Sequence, residues 1–371
     1  MTLPKPIYVT RPTLPPFEEI VPLLQEIWSS RTLTNGGPFH QRFESELARY
    51  LGVPYVTLVT NATIGLMVAL RQLHATGEVI TTPFSFVATG HSVLWSGATP
   101  VFADIDPVTL NLDPKQIERH ITAKTTAILA VHCYGRPCDV EAIESIAQRH
   151  GLKVLYDAAH AFGVRHNGQS VLNYGDLSVL SFHATKVFNT FEGGAIISQN
   201  RATKESLDRL CNYGIVDEVT VEDTGLNAKM SEFNAALGLL QLNHVDEAIR
   251  KRRDLDTRYR QLLADIPGIR CAIDDVDPET HNFYSFPILV EREYPLARDA
   301  LYAKLREHNV YARRYFYPLI SSLPMYRDMA SAAASSLPVA NSIASGVLCL
   351  PLFPDLETRE LESIAALIRR T

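Results

Sequence analysis

Lys186 closes the run Ser181-Phe-His-Ala-Thr-Lys186, and a Glu192-Gly-Gly-Ala195 bend follows it. The β-rich stretch from Leu177 to Phe182 delivers the lysine into a turn. The glycines then reverse the chain into a second apolar run, Ala195 to Ile197. A lysine at the end of a strand, among hydroxyls and tight glycines, is placed to form a Schiff base with an aldehyde. Upstream, Lys153-Val-Leu-Tyr-Asp157-Ala-Ala-His160 reads as an apolar strand that ends in a carboxylate. A carboxylate for a pyridinium nitrogen and a lysine for an aldehyde are the two anchors of pyridoxal phosphate. Singly, each residue has a plainer reading. A loop lysine is usually a solvated charge, an aspartate after a strand is usually a turn former or helix cap, and a histidine there usually packs. The ordered pair, with the Gly-Gly bend behind the lysine, points to pyridoxal phosphate chemistry.

The elements that must position these residues alternate. Phe17 to Trp28 and Phe39 to Leu51 carry apolar residues at helical spacing, separated by the breaker Thr34-Asn35-Gly36-Gly37-Pro38. That breaker reads as a turn, or as a backbone loop that approaches a ligand closely because glycine permits it. Tyr55 to Thr60 reads as a buried strand running through Asn61-Ala62-Thr63 into a helix from Ile64 to Leu73. Such a junction presents free N–H groups and the positive end of a helix, which suits a phosphate; a plain Asn or Thr cap is the alternative. Strands follow at Glu78–Thr82, Pro100–Ile105, Ala127–His132 and Lys153–Tyr156, with helices between them. This pattern predicts an α/β fold with a mainly parallel sheet covered on both faces, and ligands beyond the carboxyl ends of its strands. Thr60, Phe84, His132 and Asp157 fall at those ends. Phe84 reads either as core or as a ring stacked on a flat cofactor. Beyond about Leu242 the pattern becomes α+β, which predicts a large domain over residues 1–242 and a smaller one over 243–371.

With 371 residues, 46% of them hydrophobic and 20% charged, the chain has the composition of a globular protein with a large core. A net charge of -6 without any basic block recommends neither nucleic acid nor an anionic membrane as a partner. No apolar run approaches the roughly 18 residues of a membrane span. The N-terminal stretch is Pro-rich and polar, unlike a signal peptide. Five cysteines without metal-like spacing read as reduced thiols of a cytoplasmic protein, and no metal site is expected.

Leu33-Thr-Asn-Gly-Gly-Pro38, Thr81-Thr-Pro-Phe-Ser-Phe86, Asp157-Ala-Ala-His160, Ser181-Phe-His-Ala-Thr-Lys186, Glu192-Gly-Gly-Ala195 and Gly225-Leu-Asn227-Ala-Lys-Met230 together resemble the DegT/StrS family of pyridoxal-phosphate-dependent nucleotide-sugar aminotransferases. The resemblance covers nearly the whole chain and implies the fold of aspartate aminotransferase (PLP-dependent transferase fold type I), with a seven-stranded-type sheet. It implies that Lys186 forms the Schiff base and moves the proton, that Asp157 meets the pyridine nitrogen, and that His160 lies near the ring. Asn61, Ala62, Thr63 and Ser181 would hold the phosphate and Phe84 would stack on the ring. Asn227 would reach the phosphate of a neighbouring subunit, making the active unit a homodimer. Many members carry Ser-Gly-Thr where this chain has Asn61-Ala62-Thr63, so a serine contact is lost while the backbone contacts survive. The implied reaction moves the amino group of L-glutamate to a keto sugar in a ping-pong cycle. The chain resembles in particular the members that aminate dTDP-4-keto-6-deoxyglucose at C4 to give viosamine. Amination at C3 and the galactose-configured product are the neighbouring alternatives, and O-antigen or antibiotic sugars are the usual destinations. Asn35, Gly36, Phe86, Glu192, Arg313 (or Arg314), Tyr315 and Tyr317 are the expected substrate contacts. A non-catalytic regulator, and a fold-type-I enzyme acting on amino acids, are the competing readings.

Overall fold

Seven strands form the central sheet of the computed structural model, which describes residues 4–274 and 276–370. In chain order they are β1 (Tyr55–Val59), β2 (Glu78–Thr81), β3 (Thr99–Phe102), β4 (Thr125–Val131), β5 (Lys153–Asp157), β6 (Leu177–Ser181) and β7 (Gly194–Ser198). Across the sheet the order is β1-β7-β6-β5-β4-β2-β3. The pairs β6–β5, β5–β4, β4–β2 and β2–β3 are parallel, and β7 runs antiparallel to both its neighbours. Six strands therefore share one direction, as the alternation predicts. Every residue of β6 and β7 is buried, which fits strands made of apolar and small side chains alone. Along β4, Ala127 and Leu129 pack with the helix Ala62–Gln72 on one face, while Ile128 and Ala130 pack with the helix Val140–His150 on the other.

The shared strand direction brings Val59, Asp157 and Ser181 to one edge, joined by Gly194 at the start of β7. A side chain at Gly194 would lie 2.7 Å from the Leu180 carbonyl oxygen and 3.0 Å from the Ala62 nitrogen, so only glycine lets β7 close against the start of the helix.

A second sheet, β8 (Ile269–Cys271), β9 (Phe286–Val290) and β10 (Val347–Leu350), is antiparallel throughout. It shares a core with the helices Val245–Leu263, Arg298–Glu307 and Thr358–Arg369. Ile7–Tyr8 pairs in parallel with Val310–Tyr311, and Ile7 packs into this core, so the N-terminal arm docks on the C-terminal lobe. We propose a lobe boundary between residues 242 and 243, just ahead of the long connecting helix. A third apolar cluster forms the seam, where Phe84, Phe102 and Tyr134 of the first lobe meet Phe316, Tyr326 and Ala340 of the second.

The strand β10 and the helices Arg201–Leu210 and Pro338–Gly346 are absent from the pattern reading. Val347-Leu-Cys-Leu350 is an apolar run of four, too short to tell a strand from a buried turn by periodicity. Beyond the short strand Val310–Tyr311 the chain makes an antiparallel bridge from Arg313 to Cys349.

Candidate active site

Asp157, the last residue of β5, is buried at the floor of a cavity of about 660 Å³ between the lobes. Its Oδ2 accepts from the Thr89 hydroxyl at 2.8 Å and its Oδ1 from the Ala159 N–H at 3.2 Å. Thr89 in turn lies 2.8 Å from the Ser85 hydroxyl. Burial raises the Asp157 pKa, while these hydrogen bonds and the Lys186 charge act the other way. Burial likewise pushes the Lys186 amine down to about 8, against the pull of Asp157. An amine with that value has a substantial neutral fraction near neutral pH, as a proton acceptor requires.

His160, three residues beyond Asp157, is buried and its pKa is pushed well below the usual imidazole range. Its Nδ1 accepts from the Tyr134 N–H at 3.2 Å, so it sits as a neutral ring. That ring stacks on Tyr284 with centroids 4.2 Å apart.

The helix Ala62–Gln72 begins at the wall of the same cavity. Asn61 caps it, its Oδ1 accepting from the Ile64 N–H at 2.9 Å. The amides of Ala62 and Thr63 precede the first intrahelical bond, and both residues line the cavity with Asn61 and Ser181. Free N–H groups, a helix N-terminus and a serine make an anion cradle. The cradle, the buried carboxylate and Lys186, all lining one cavity, fit pyridoxal phosphate. That group is the cofactor of this chain.

The tertiary structure gathers Asn61, Ala62, Thr63, Phe86, Asp157, His160, Ser181, Lys186, Glu192, Arg313 and Tyr315 around this one cavity. Five expected residues do not line it. Phe84 is fully buried, edge-on to Tyr134 and Phe316 in the seam between the lobes; it is core, and Phe86, 59% exposed, is the aromatic at the cavity wall. The chain bends through Pro83, Phe84 and Ser85 before the helix that starts at Val87, so the two rings part and only Phe84 enters the hydrophobic seam. Tyr317 faces outward against the guanidinium groups of Arg298 and Arg314, and Arg314 pairs with Asp299 at 2.9 Å. Arg313 is thus the arginine at the cavity. Asn35 and Gly36 adopt left-handed backbone away from it, in a loop whose far end is tied down by Glu232, which accepts from the Phe39 and His40 N–H groups at 2.8 and 3.0 Å. Asn227 is exposed outside the cavity of its own chain, bridged to Asn212.

Three residues were not anticipated. Thr89 holds Asp157, His183 lies on the wall with Nε2 3.6 Å from Glu192, and Tyr284 contacts both His160 and Lys186. A signal existed for His183, inside the lysine motif. Thr89 and Tyr284 stand in ordinary helix and loop sequence. Among the described residues no three or more His, Cys, Asp or Glu side chains are grouped to hold a metal, and no helix is long and apolar enough to cross a membrane.

The comparisons agree with this geometry. Two relatives are dTDP-4-amino-4,6-dideoxy-D-glucose transaminases. The one from Shigella dysenteriae is 53% identical, over 98% of this chain and 99% of its own; the one from Escherichia coli is 49% identical, over 98% of each. The crystal structure of DesI in the presence of its TDP-sugar product superposes with a TM-score of 0.94 at 35% identity, covering 100% of this chain and 93% of that one. Residues 17–369 match the model of the DegT/DnrJ/EryC1/StrS aminotransferase family, and the chain, with its lysine, carboxylate and anion cradle in one cavity, belongs to that family.

Proposed function

We propose that this chain transfers the amino group of L-glutamate to C4 of dTDP-4-keto-6-deoxy-D-glucose. The products are dTDP-4-amino-4,6-dideoxy-D-glucose (dTDP-viosamine) and 2-oxoglutarate. The carrying observation is that Lys186, with its lowered pKa, and the buried Asp157 share one cavity in a chain about half identical, over nearly its whole length, to transaminases of that sugar.

Bound pyridoxal phosphate supplies an aldehyde for the amino group and a ring that takes up the electron pair left when a proton leaves carbon. The chain's own residues do the rest. Asp157, held by Thr89 and Ala159, is the counter-charge for a protonated pyridine nitrogen. The amides of Ala62 and Thr63, with Asn61 and Ser181, hold the phosphate, and Phe86 takes the stacking role expected of Phe84. His160, neutral and stacked on Tyr284, packs beside the ring. Lys186 takes the α-proton of glutamate and later delivers a proton at sugar C4, so a single amine serves both half-reactions in a ping-pong cycle.

The substrate's diphosphate and carboxylate groups are anionic. Arg313 and Lys186 are the cationic side chains on the cavity wall, and Arg313 has no ion-pair partner among the described residues. Arg313, with Tyr315 and Glu192, is therefore the proposed substrate contact. Asn227 faces away from its own cavity, which supports a homodimer in which it serves the neighbouring site. The five free cysteines support a reducing, cytoplasmic location.

The test is turnover of dTDP-4-keto-6-deoxyglucose with L-glutamate and pyridoxal phosphate, with the product identified by NMR. The wild type should give an equatorial 4-amino sugar and Lys186→Ala none. An axial amine would overturn the product assignment. A cofactor-loaded protein that leaves this sugar untouched and aminates the 3-keto isomer would overturn the choice of carbon.

A further inference from the structure

Tyr284 belongs to the C-terminal lobe, two residues ahead of β9, yet its hydroxyl accepts from Lys186 Nζ at 3.3 Å. Nζ also sits 4.8 Å from the centroid of the Tyr284 ring, on the side of its hydroxyl. The opposite relation, ring to ring, ties Tyr284 to His160 at 4.2 Å with planes 12° apart. One side chain therefore touches the reacting amine and the residue beside the cofactor ring.

Its placement is built by buried polar groups that the reaction itself does not use. Asn282, 1% exposed, donates from Nδ2 to the carbonyls of His160 and Phe162 at 2.8 and 2.9 Å, and its Oδ1 accepts from the Tyr284 N–H at 3.1 Å. The Tyr284 loop is thereby tied to the loop that carries Asp157 and His160. From the connecting helix, Arg252, also 1% exposed and without an ion-pair partner among the described residues, donates from Nη1 to the carbonyls of Tyr284 and Leu352 at 3.2 and 2.9 Å. A fully buried guanidinium is costly, and here it holds the Tyr284 carbonyl in place.

We infer that Tyr284 is a further catalytic residue: its hydroxyl fixes one N–H of the Lys186 amine so that the nitrogen lone pair is aimed at the substrate carbon, and it keeps hold of the ammonium formed when that proton is taken. A lysine amine rides on a flexible four-carbon stem, and one fixed acceptor removes most of its rotational freedom. The hydroxyl can accept an N–H from either the amine or the ammonium, so the contact persists through the transfer. No net proton passes through Tyr284; the proton moves from carbon to Nζ and back to carbon.

This inference rests on the aminotransferase reading, and Tyr284→Phe and Tyr284→Leu test it with two readouts. In the glutamate and sugar half-reactions alike, Tyr284→Phe should lower kcat by about tenfold, the scale of one hydrogen bond to a charged group. KM should change little, and the isotope effect with α-deuterated glutamate should grow. Tyr284→Leu, which also removes the ring, should lose more. The second readout needs no turnover: the pH midpoint of Lys186 acylation in the cofactor-free protein, read by peptide mass spectrometry. The groups facing the amine are Asp157, His160 and Tyr284, and only the last is changed. The midpoint should fall in Tyr284→Phe, because the ammonium loses an acceptor while the packing stays. An unchanged kcat and an unchanged midpoint in Tyr284→Phe would overturn the inference, even if Tyr284→Leu fails to fold. A wild type that aminates no keto sugar would count against the functional reading alone, and the acylation midpoint would still decide the role of Tyr284.

Discussion

The two walls of the cavity are built on different terms. The wall from the central sheet carries Asp157, Ser181, Lys186 and the start of the helix Ala62–Gln72, and its polar groups largely satisfy one another before any ligand arrives. Asp157 has Thr89 and Ala159, and Asn61 has the Ile64 amide. The wall from the C-terminal lobe carries Tyr284, Arg313, Tyr315 and Phe316 on connecting segments. There the Arg313 side chain has no ion-pair partner among the described residues, although its backbone is clamped to Cys349 in both directions, at 3.0 and 2.7 Å. The first wall is preorganised for a resident group. The second has a fixed backbone and, on the proposed reading, a guanidinium left for ligands that come and go. A ping-pong enzyme needs both, because one cofactor stays while two substrates exchange.

The sharpest break of this contrast is at Asp157. Asp157→Asn keeps the shape and removes the charge, so kcat should fall by about 10²- to 10³-fold, the usual cost of losing one preorganised electrostatic partner. Cofactor retention on gel filtration should weaken as well. Arg313→Met touches the other wall. It should raise KM for the nucleotide sugar by about tenfold to a hundredfold through the loss of a charge-assisted contact, leave kcat within a few fold, and spare cofactor binding measured by absorbance.

The pH dependence sharpens the first wall further. Lys186 must be neutral to accept a proton or to combine with an aldehyde, and its value is lowered to about 8. The rate at which added pyridoxal phosphate combines with Lys186 in the cofactor-free protein should therefore fall by about tenfold per pH unit below that value and level off above it. The smallest effects separate the two phenylalanines. Phe86→Leu should weaken cofactor binding by a few fold and shift stability by less than about 0.5 kcal/mol, as for an exposed site. Phe84→Ala should instead cost about 3–5 kcal/mol in chemical denaturation, because it leaves a hole in the seam.

The cofactor wall was legible because its residues are neighbours in sequence as well as in space. Asp157 and His160 lie in one strand-end motif, Ser181 and Lys186 in another, and a strand followed by Asn-Ala-Thr and a helix announces an anion site from its own backbone logic. The substrate wall was only partly legible. Arg313 and Tyr315 were placed among the candidates together with Tyr317, which the same run of arginines and tyrosines made an equal choice. The contact of Arg314 with Asp299, and of Tyr317 with two guanidinium groups, decided between them. Phe84 and Phe86 posed the same problem, two rings of one type in one motif, and the neighbouring lobe sorted them by offering an apolar seam to one.

By itself the sequence determined the alternation that makes a mainly parallel sheet, the strand ends that line the cavity, and the lysine and aspartate proposed to carry the chemistry. These follow from local pattern, since strand period, turn residues and helix caps are set by residues within a few positions of each other. Only the tertiary structure decided which ring enters the seam, which arginine faces the cavity, and that Tyr284 reaches Lys186 from the other lobe, 98 residues further along the chain. Those choices depend on which surfaces meet when the lobes pack, and residue spacing along the chain carries no record of that.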